Sequence, residues 1–304
     1  MTNIHELIES LTSQAHRYTR VGYDQRSLFF CKDGTIGAGS ARRERFWELR
    51  YDGSETGLDI LDAERVLTCR LHHEADGVWR GRWERFERMP IELAPVCRTP
   101  KARALLIQQA DGDYTELLRL THALHEGYAD RHGIDFWSVR GAPQLERASS
   151  WSKALLIRQA LQLHYELVVW LDADTLIVDP SVDLREAMSE FEIVGMCKHP
   201  LPWGGRPWHY NAGVLFVRNG EPARQFFREV WEAGPLNHPW QEQYRMLELD
   251  QRSPGFVQAI DDRWNATVGC NPSPEPIIKA WHGYGAGRFA AMQRELERLA
   301  AADE

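Results

Sequence analysis

Two aspartates that follow an uninterrupted apolar run most directly suggest chemistry in this chain. The run Leu167–Leu171 leads straight into Asp172, Ala173 and Asp174. Such a run is typical of a strand covered on both faces of its sheet, and the carboxyl end of such a strand opens on the ligand crevice of an α/β fold. Two neighbouring carboxylates there need a counter-charge, and their oxygens suit Mg²⁺ or Mn²⁺. The pattern predicts a divalent-cation site that bridges to a diphosphate. The alternative is one aspartate that caps a helix and another that is solvated at a turn.

Other polar residues could complete such a site. His282 lies in a Trp-His-Gly step, and an imidazole ligand would favour Mn²⁺ over Mg²⁺ or Ca²⁺, although a lone histidine is more often structural. Gly283 would let backbone N–H groups approach phosphate oxygens closely. Lys153 and Lys279 are candidates for the diphosphate because a lysine is a compact cation that suits phosphate. The alternative for each lysine is a solvated surface position.

A further set of residues could contact a base or a sugar. Tyr114 follows the first predicted α/β strand, where it would stack on a base or simply begin a helix. Asn211 precedes the small residues Ala212-Gly213, which would let a sugar approach closely or form a simple bend. Glu242, with Gln243, could orient an acceptor hydroxyl or shield an oxocarbenium ion. Glu242 could instead complement the dipole of the helix that it opens.

The elements that must position these residues change character near residue 97. Residues 1–97 predict a short helix and then a small antiparallel sheet or partial barrel. Steps such as Asp52-Gly53 and Asp76-Gly77 separate short alternating runs there, and glycine accepts the positive φ of a hairpin turn. Trp79 and Trp83 share one face of a predicted strand. That face is either a sugar-stacking surface or part of the core, with arginines outside.

Residues 98–304 predict an α/β domain with a mainly parallel sheet and helices on both faces, because apolar strands alternate with helical patterns. The second helical pattern begins near Trp151, with Ser149 or Ser150 as its N-cap. A loop over Pro200–His209 contains Trp203 and Trp208, which are either sugar platforms or packing anchors. The predicted strands are Ala104–Gln108, Ile134–Val139, Leu167–Leu171 and Val214–Val217.

The bulk composition excludes several classes of protein. The net charge of −8 over 304 residues argues against nucleic-acid binding, which needs clustered Lys and Arg. The five cysteines are scattered and lack CxxC spacing, so reduced thiols are expected. The first 20 residues contain no apolar core of signal-peptide length, and no apolar run approaches the roughly 20 residues of a membrane helix. A cytoplasmic protein without a transmembrane segment is therefore expected.

At the level of motifs, residues 101–288 resemble a GT-A-fold glycosyltransferase. The closest resemblance is to the family of fungal α-galactosyl and α-mannosyltransferases and plant xyloglucan xylosyltransferases, and the glycogenin-like family is more distantly similar. The motifs in order are Trp151-Ser152-Lys153, Trp170-Leu171-Asp172-Ala173-Asp174, Tyr210-Asn211-Ala212-Gly213-Val214, Gln241-Glu242-Gln243, Arg263-Trp264-Asn265 and Ala280-Trp281-His282-Gly283.

The resemblance implies a UDP-sugar donor, Mn²⁺ and retention of anomeric configuration. Asp172 and Asp174 match the metal-binding triplet, and His282 matches the histidine that completes the metal site. Asn211 matches an asparagine near the donor sugar and acceptor. Glu242 and Gln243 fall where the family carries a carboxylate and an amide beside the reacting carbon, with Glu-Gln here in place of the more usual Asp-Gln.

We therefore predict a metal-dependent glycosyltransferase that moves a hexose or pentose from a nucleotide sugar to a saccharide or glycosylated small-molecule acceptor. Two alternatives remain at this point. One is another enzyme that acts on nucleotide sugars, either a hydrolase or a nucleotidyltransferase, although the Gly-rich phosphate loop of the latter is absent after the first strand. The other is a carbohydrate-binding protein without catalytic activity.

Overall fold

The structure is a computed structural model that describes residues 4–37, 39–51, 56–85, 89–96, 103–143, 147–163, 165–200 and 208–302. The chain divides into two compact units. The first contains residues 1–100 and 137–146, and the second contains residues 101–136 and 147–304. The predicted boundary between residues 97 and 98 lies outside the described residues, as do the Asp52-Gly53 turn and Trp203.

The first unit is built on a seven-stranded sheet in the order β2-β1-β7-β6-β5-β4-β3. In the described residues its neighbouring strands all pair antiparallel, as predicted for an N-terminal β-rich region. Its elements are α1 (Ile4–Thr12), β1 (Ala15–Arg20), β2 (Asp24–Phe29), β3 (Phe46–Tyr51), β4 (Thr56–Leu61), β5 (Leu67–His73), β6 (Trp79–Trp83) and β7 (Pro90–Pro95).

The tryptophans of β6 belong to the core of this unit. Trp79 and Trp83 are 2% and 6% exposed, and both pack in one apolar cluster with residues such as Leu58 and Leu93. Arg80, on the opposite face, pairs with carboxylates at the surface. The core interpretation of this tryptophan pair is therefore confirmed, and the sugar-stacking interpretation is wrong.

The second unit is built around a six-stranded mixed sheet in the order β14-β12-β13-β10-β8-β9. Its helices are α2 (Thr115–His132), α3 (Ser152–Ala160), α4 (Glu221–Ala233), α5 (Gln241–Arg252) and α6 (Arg288–Ala302). Its strands are β8 (Ala104–Ala110), β9 (Asp135–Arg140, whose last four residues belong to the first unit), β10 (Leu167–Asp172), β11 (Thr175–Ile177), β12 (Val194–Pro200), β13 (Trp208–Arg218), β14 (Val257–Ala259), β15 (Ala266–Thr267) and β16 (Ile278–Ala280).

Strand β10 lies inside this sheet, as its uninterrupted apolar run predicted. Its residues from Leu167 to Leu171 are all buried, because strands flank it on both sides and apolar clusters cover it. It is parallel to β8, with Asp172 opposite Gln109, and antiparallel to β13. The carboxyl ends of β8 and β10 therefore open on the same edge of the sheet. A small three-stranded sheet in the order β11-β16-β15 follows the aspartates.

Two local predictions in this unit are corrected. Ser149 and Ser150 do not cap α3, because they lie in a single 3₁₀ turn that runs directly into that helix. The segment Tyr210–Gly213 does not precede its strand but lies inside β13, whose eleven residues extend the predicted run Val214–Val217 toward its N-terminus. In the described parts of the chain, no helix is both long and apolar enough to cross a membrane.

Candidate active site

Two cavities meet where β10 ends. Their volumes are about 470 and 640 Å³, and we call them the first and second cavities. Asp172, Asp174 and His282 line both cavities. The structure thus brings together the three residues that the sequence predicts as metal ligands, at the edge of the sheet where the apolar run placed them.

The backbone at Asp172 is held by a buried polar network. The Gln108 side chain donates from Nε2 to the carbonyl of Asp172 (3.2 Å). Its Oε1 accepts from Thr121 and is 3.1 Å from a ring nitrogen of His125. These three side chains are fully buried, so the end of β10 is fixed from beneath the cleft.

Lys153 connects three parts of the site. Near the start of α3, it donates from Nζ to the carbonyl of Ala212 on β13 (2.7 Å). The same Nζ lies 3.1 Å from Asp172 Oδ1 and 3.3 Å from Glu242 Oε1. Burial alone would lower the pKa of Lys153, but the charges of Asp172 and Glu242 more than offset it and the pKa is raised. The predicted phosphate contact is therefore a buried ammonium between two carboxylates.

Glu242 reaches this cluster from the first turn of α5. It is 4% exposed and lines the first cavity. Within the described residues, its Oε2 is buried and has no hydrogen-bond partner. Burial raises the pKa of Glu242, and the charge of Lys153 opposes that rise. This carboxylate is therefore buried and paired with a lysine.

The neighbouring Gln243 faces the second cavity. Its Oε1 accepts from the backbone N–H of Ala212 (2.9 Å), the residue whose carbonyl accepts from Lys153. The turn before α5 is unusual, since Gln241 adopts a positive φ of 40°. The side chain of Gln241 donates to the carbonyl of His238 (3.0 Å) and accepts from Trp151 Nε1 (3.3 Å).

Asn211 lines the second cavity from β13. Its Oδ1 accepts from the backbone N–H of Gly213 (2.8 Å) and from Asn265 Nδ2 (3.0 Å). A Cβ on Gly213 would lie 2.9 Å from Asn211 Oδ1 and 3.3 Å from Asp172 Oδ2. Glycine at this position therefore leaves room beside the carboxylate, as the small residues of the motif suggested.

Arg288 is a site residue that the sequence reasoning missed. It begins α6, and its Nε lies 3.1 Å from Asp174 Oδ2 and 3.0 Å from the carbonyl of Trp281. Its guanidinium carbon is 4.9 Å from the ring centroid of Tyr114. Burial, followed by the charge of Asp172, raises the pKa of Asp174 to about 6, against the opposing effect of Arg288. The sequence signal that could have identified it is an arginine shortly after the predicted metal ligand His282.

His282 is oriented by neighbouring side chains. Its Nδ1 is 3.2 Å from Thr267 Oγ1, and its ring stacks on His199 with centroids 5.3 Å apart. Burial lowers the pKa of His282, which favours the neutral ring that a metal requires. A hydrogen bond at Nδ1 leaves Nε2 as the nitrogen that can coordinate a cation, and such hydrogen bonds commonly orient histidine ligands.

The residues present fit a divalent cation in type. Two carboxylates and one imidazole border a common space, and the absence of a side chain at Gly213 keeps that space open beside Asp172. In the arrangement seen here, no three His, Cys, Asp or Glu side chains among the described residues are close enough to share an ion. The Asp174 carboxylate is paired with Arg288 instead. A cation shared by Asp172, Asp174 and His282 would therefore require these side chains to rotate.

The remaining predicted residues fall into two groups. Tyr114, which is 46% exposed, and Gly283 line the first cavity. Lys279 lines neither cavity and pairs with Glu295 on α6 (2.8 Å). Trp208 also lines neither cavity and lies beside Lys198, whose Nζ is 4.1 Å from its ring centroid. The predicted phosphate contact of Lys279 gains no support from this position.

One sequence family and several solved structures resemble this chain. Residues 106–195 match the sequence model of the galactosyl transferase GMA12/MNN10 family. That segment includes most of β8, all of β10 and both aspartates. No protein of curated function matches the sequence.

Among solved structures, a glycosyltransferase involved in the glycosylation of the major capsid of PBCV-1 matches with a TM-score of 0.51 and 20% identity, over 64% of this chain and 98% of that chain. The galactosyltransferase LgtC in complex with donor and acceptor sugar analogues gives 0.43 and 13%, over 65% and 95%. Mouse xyloside xylosyltransferase 1 gives 0.39 and 10%, over 60% and 98%.

The fold assignment rests on the first of these structures, since the other two have TM-scores below 0.5. It is the mixed α/β GT-A fold that the sequence predicts. The family match confirms the predicted resemblance to the galactosyl transferase GMA12/MNN10 family over residues 106–195, and together with the fold it supports the predicted enzyme class, a glycosyltransferase.

Proposed function

We propose that this protein is a metal-dependent glycosyltransferase that moves a sugar from a nucleotide-sugar donor, a UDP-sugar, to an acceptor hydroxyl. One observation carries the proposal: two cavities of different lining meet at Asp172, Asp174 and His282. A transfer between two substrates needs two adjoining spaces with the reacting bond at their junction. A single-substrate binding protein needs only one.

Asp172, Asp174 and His282 are proposed to hold the cation, with Mn²⁺ favoured over Mg²⁺ by the imidazole ligand. When bound, the cation would act as a Lewis acid on the diphosphate and make the nucleotide a better leaving group. Arg288, which already neutralises Asp174, is the cation of this chain best placed to contact the diphosphate once the metal is present. Tyr114 and Gly283 border the same cavity, where a base and phosphate oxygens would lie.

Lys153 is proposed to act mainly as a positioning residue. A fully buried ammonium between Asp172 and Glu242 fixes the separation between the metal ligand and the carboxylate nearest the reacting carbon. It also holds β13 through the Ala212 carbonyl. Since buried ion pairs that lose one partner are strongly destabilised, this arrangement resists displacement of either carboxylate.

Glu242, Gln243 and Asn211 are proposed to act on the sugars. The Glu242 carboxylate would stabilise positive charge that develops on the donor sugar ring, a role that suits a buried anion. The amides of Gln243 and Asn211 would bind sugar hydroxyls from the second cavity. Retention of configuration is proposed from the family resemblance, since no distance in the structure determines the stereochemical outcome.

The test is calorimetric titration of the protein with UDP, GDP and dTDP, each with and without MnCl₂. We expect UDP to bind most tightly and to depend on the metal. Asp174→Asn should reduce Mn²⁺-dependent UDP binding at least about 30-fold, because it removes one of two charged oxygen ligands. The exposed Asp130 on α2 provides the control variant Asp130→Asn, which should leave binding unchanged.

Turnover distinguishes transfer from hydrolysis. Incubation of a UDP-sugar with a saccharide panel should release UDP faster than incubation with the UDP-sugar alone. Equal release with and without every acceptor would favour a nucleotide-sugar hydrolase. UDP binding that is indifferent to metal and to Asp174→Asn would refute the proposed site.

A further inference from the structure

The two cavities differ in charge. The first contains Lys153, Glu242, Arg288 and Asp111 in addition to the three shared residues. Outside those shared residues, the described lining of the second cavity contains no Asp, Glu, Lys or Arg. A nucleotide diphosphate needs cations, so the first cavity suits the donor. The second cavity suits a ligand without charge.

The second cavity has an aromatic wall. His209 on β13 and Trp240 before α5 stack with ring centroids 4.7 Å apart and planes 23° apart, and both line the cavity. Both side chains are partly exposed. Aromatic side chains of this kind offer apolar area together with polar edge atoms, a combination that matches the face of a sugar ring and its hydroxyls.

Hydrogen bonds within the protein determine what the polar groups of this cavity can offer. The oxygens of Asn211 and Gln243 already accept backbone N–H groups, so their amide nitrogens are the groups that can donate to a ligand. His209 Nδ1 is 3.0 Å from the carbonyl of Tyr210. Because a carbonyl only accepts, Nδ1 carries the proton and Nε2 is left as an acceptor. Two donors and one acceptor thus border an uncharged, partly aromatic space.

We infer that the second cavity is a subsite for an uncharged saccharide acceptor, with the Trp240–His209 wall against one face of its ring. Asn211 and Gln243 donate to its hydroxyls, and His209 Nε2 accepts from one of them. Among the described lining residues, no lysine or arginine is available to bind a phosphate or carboxylate group, which selects against phosphorylated or acidic sugars. This inference rests on the proposed function and adds the class of acceptor.

The experiment measures binding of methyl α- and β-glycosides of glucose, galactose, mannose and xylose, together with lactose. Saturation-transfer NMR is carried out with saturating UDP and MgCl₂, so that the donor site is filled and no paramagnetic ion is present. Trp240→Ala and Trp240→Phe are compared with Trp208→Ala. Trp208 is 40% exposed and lines neither cavity, so its variant controls for the loss of an exposed tryptophan.

We expect at least one glycoside to bind the wild type and Trp208→Ala equally. Trp240→Ala should weaken that binding about 10-fold and Trp240→Phe by less, because aromatic contacts are worth this much beyond burial. UDP affinity should stay within about twofold in all variants, since Trp240 lies outside the first cavity. The 6-phosphate of the bound hexose should bind at least about 10-fold more weakly.

Three results would overturn the inference: no glycoside in the panel binds the wild type, Trp240→Ala binds as well as Trp208→Ala, or the sugar phosphate binds as tightly as the neutral sugar. Each leaves metal-dependent UDP binding intact if only the acceptor assignment is wrong. Loss of UDP binding by the wild type would instead refute the proposed function.

Discussion

Replacing Lys153 with methionine tests whether its positive charge holds the carboxylates of Asp172 and Glu242 in place. Methionine keeps much of the length of lysine but removes the ammonium that lies 3.3 Å from Glu242 Oε1 and 3.1 Å from Asp172 Oδ1. The Asp172 side chain is 37% exposed and can regain solvent, whereas the Glu242 side chain is 6% exposed. Loss of the ammonium therefore destabilises mainly the charged form of Glu242.

The cost has an upper bound. A buried carboxylate that has lost its lysine partner can bind a proton rather than remain charged. At pH 7 this protonation costs about 3.4 kcal/mol for a group with an ordinary pKa of 4.5. Loss of the hydrogen bond to the Ala212 carbonyl adds about 1 kcal/mol. We expect Lys153→Met to lower the free energy of unfolding of the second unit by about 3–4 kcal/mol at pH 7.

The pH dependence follows from the same reasoning. Without Lys153, burial leaves the folded-state pKa of Glu242 above its unfolded value, so the folded state binds more protons and stability falls as pH rises between the two values. Lowering the pH from 7 to 5 should therefore reduce the carboxylate's part of the cost to about 0.7 kcal/mol. Wild type should show a smaller gain, because the charge of Lys153 opposes the rise in the pKa of Glu242 that burial causes.

The assay is urea unfolding followed by circular dichroism at pH 7 and pH 5. Lys279→Met serves as the control, since the Lys279–Glu295 pair is nearer the surface and its loss should cost under about 1 kcal/mol. The double variant Lys153→Met/Glu242→Gln should recover about 2 kcal/mol relative to the single variant. If Lys153→Met behaves like Lys279→Met at both pH values, the charge cluster is not what holds these carboxylates.

Three further expectations concern other parts of the chain. Thr267→Val removes the partner of His282 Nδ1 and should weaken Mn²⁺-dependent UDP binding about 10-fold, and unchanged titrations would show that Thr267 does not orient the imidazole. Gly213→Ala places a Cβ 3.3 Å from Asp172 Oδ2, so the same titration should show weaker binding while the circular dichroism spectrum stays the same. Wild-type affinity in that variant would mean that the carboxylate can move away. Burial lowers the pKa of His16 to about 4, so the unfolded chain binds its proton first and stability falls as pH drops below 6.5. Between neutral pH and pH 5.5, the free energy of unfolding of the wild type should fall by about 1 kcal/mol more than that of His16→Leu. Parallel pH profiles of the two proteins in urea unfolding would contradict this.

The sequence was most informative where local pattern and tertiary environment agree. The apolar run Leu167–Leu171 predicted a covered strand, and the aspartates that follow it line both cavities. Gly133 ends α2 in a left-handed conformation with φ of 60°, which glycine adopts readily after the last turn of a helix. Asp76-Gly77 forms a turn with φ of 80° at the glycine.

Strands without a clear pattern were missed. β1 has the sequence Ala-His-Arg-Tyr-Thr-Arg, and only its pairing with both β2 and β7 makes it a strand. β4 contains Gly57 and the buried Asp59, which hide its apolar residues from a search for alternation. In both cases long-range pairing overrides local preference.

The candidate site was predictable in its residue types but not in its contacts. Asp172, Asp174 and His282 were predicted as a group, and the structure places them around one space. The sequence did not predict which basic residue lies beside Asp174, because that depends on how α6 packs against the cleft. Arg288 faces Asp174, whereas Lys279 turns toward α6. The catalytic roles of the predicted residues stay predictions until they are measured.

The left-handed turn at Gln241 has a consequence for protein engineering. A non-glycine residue at φ of 40° carries a strain of about 1 kcal/mol, which makes Gln241→Gly an obvious change to try when a more heat-resistant variant is wanted. That change would also remove the side-chain hydrogen bonds to His238 and Trp151, which fix the turn between Trp240 and Glu242. Because each lost hydrogen bond costs about 1 kcal/mol, the relieved strain is offset, and engineering at this turn should retain glutamine.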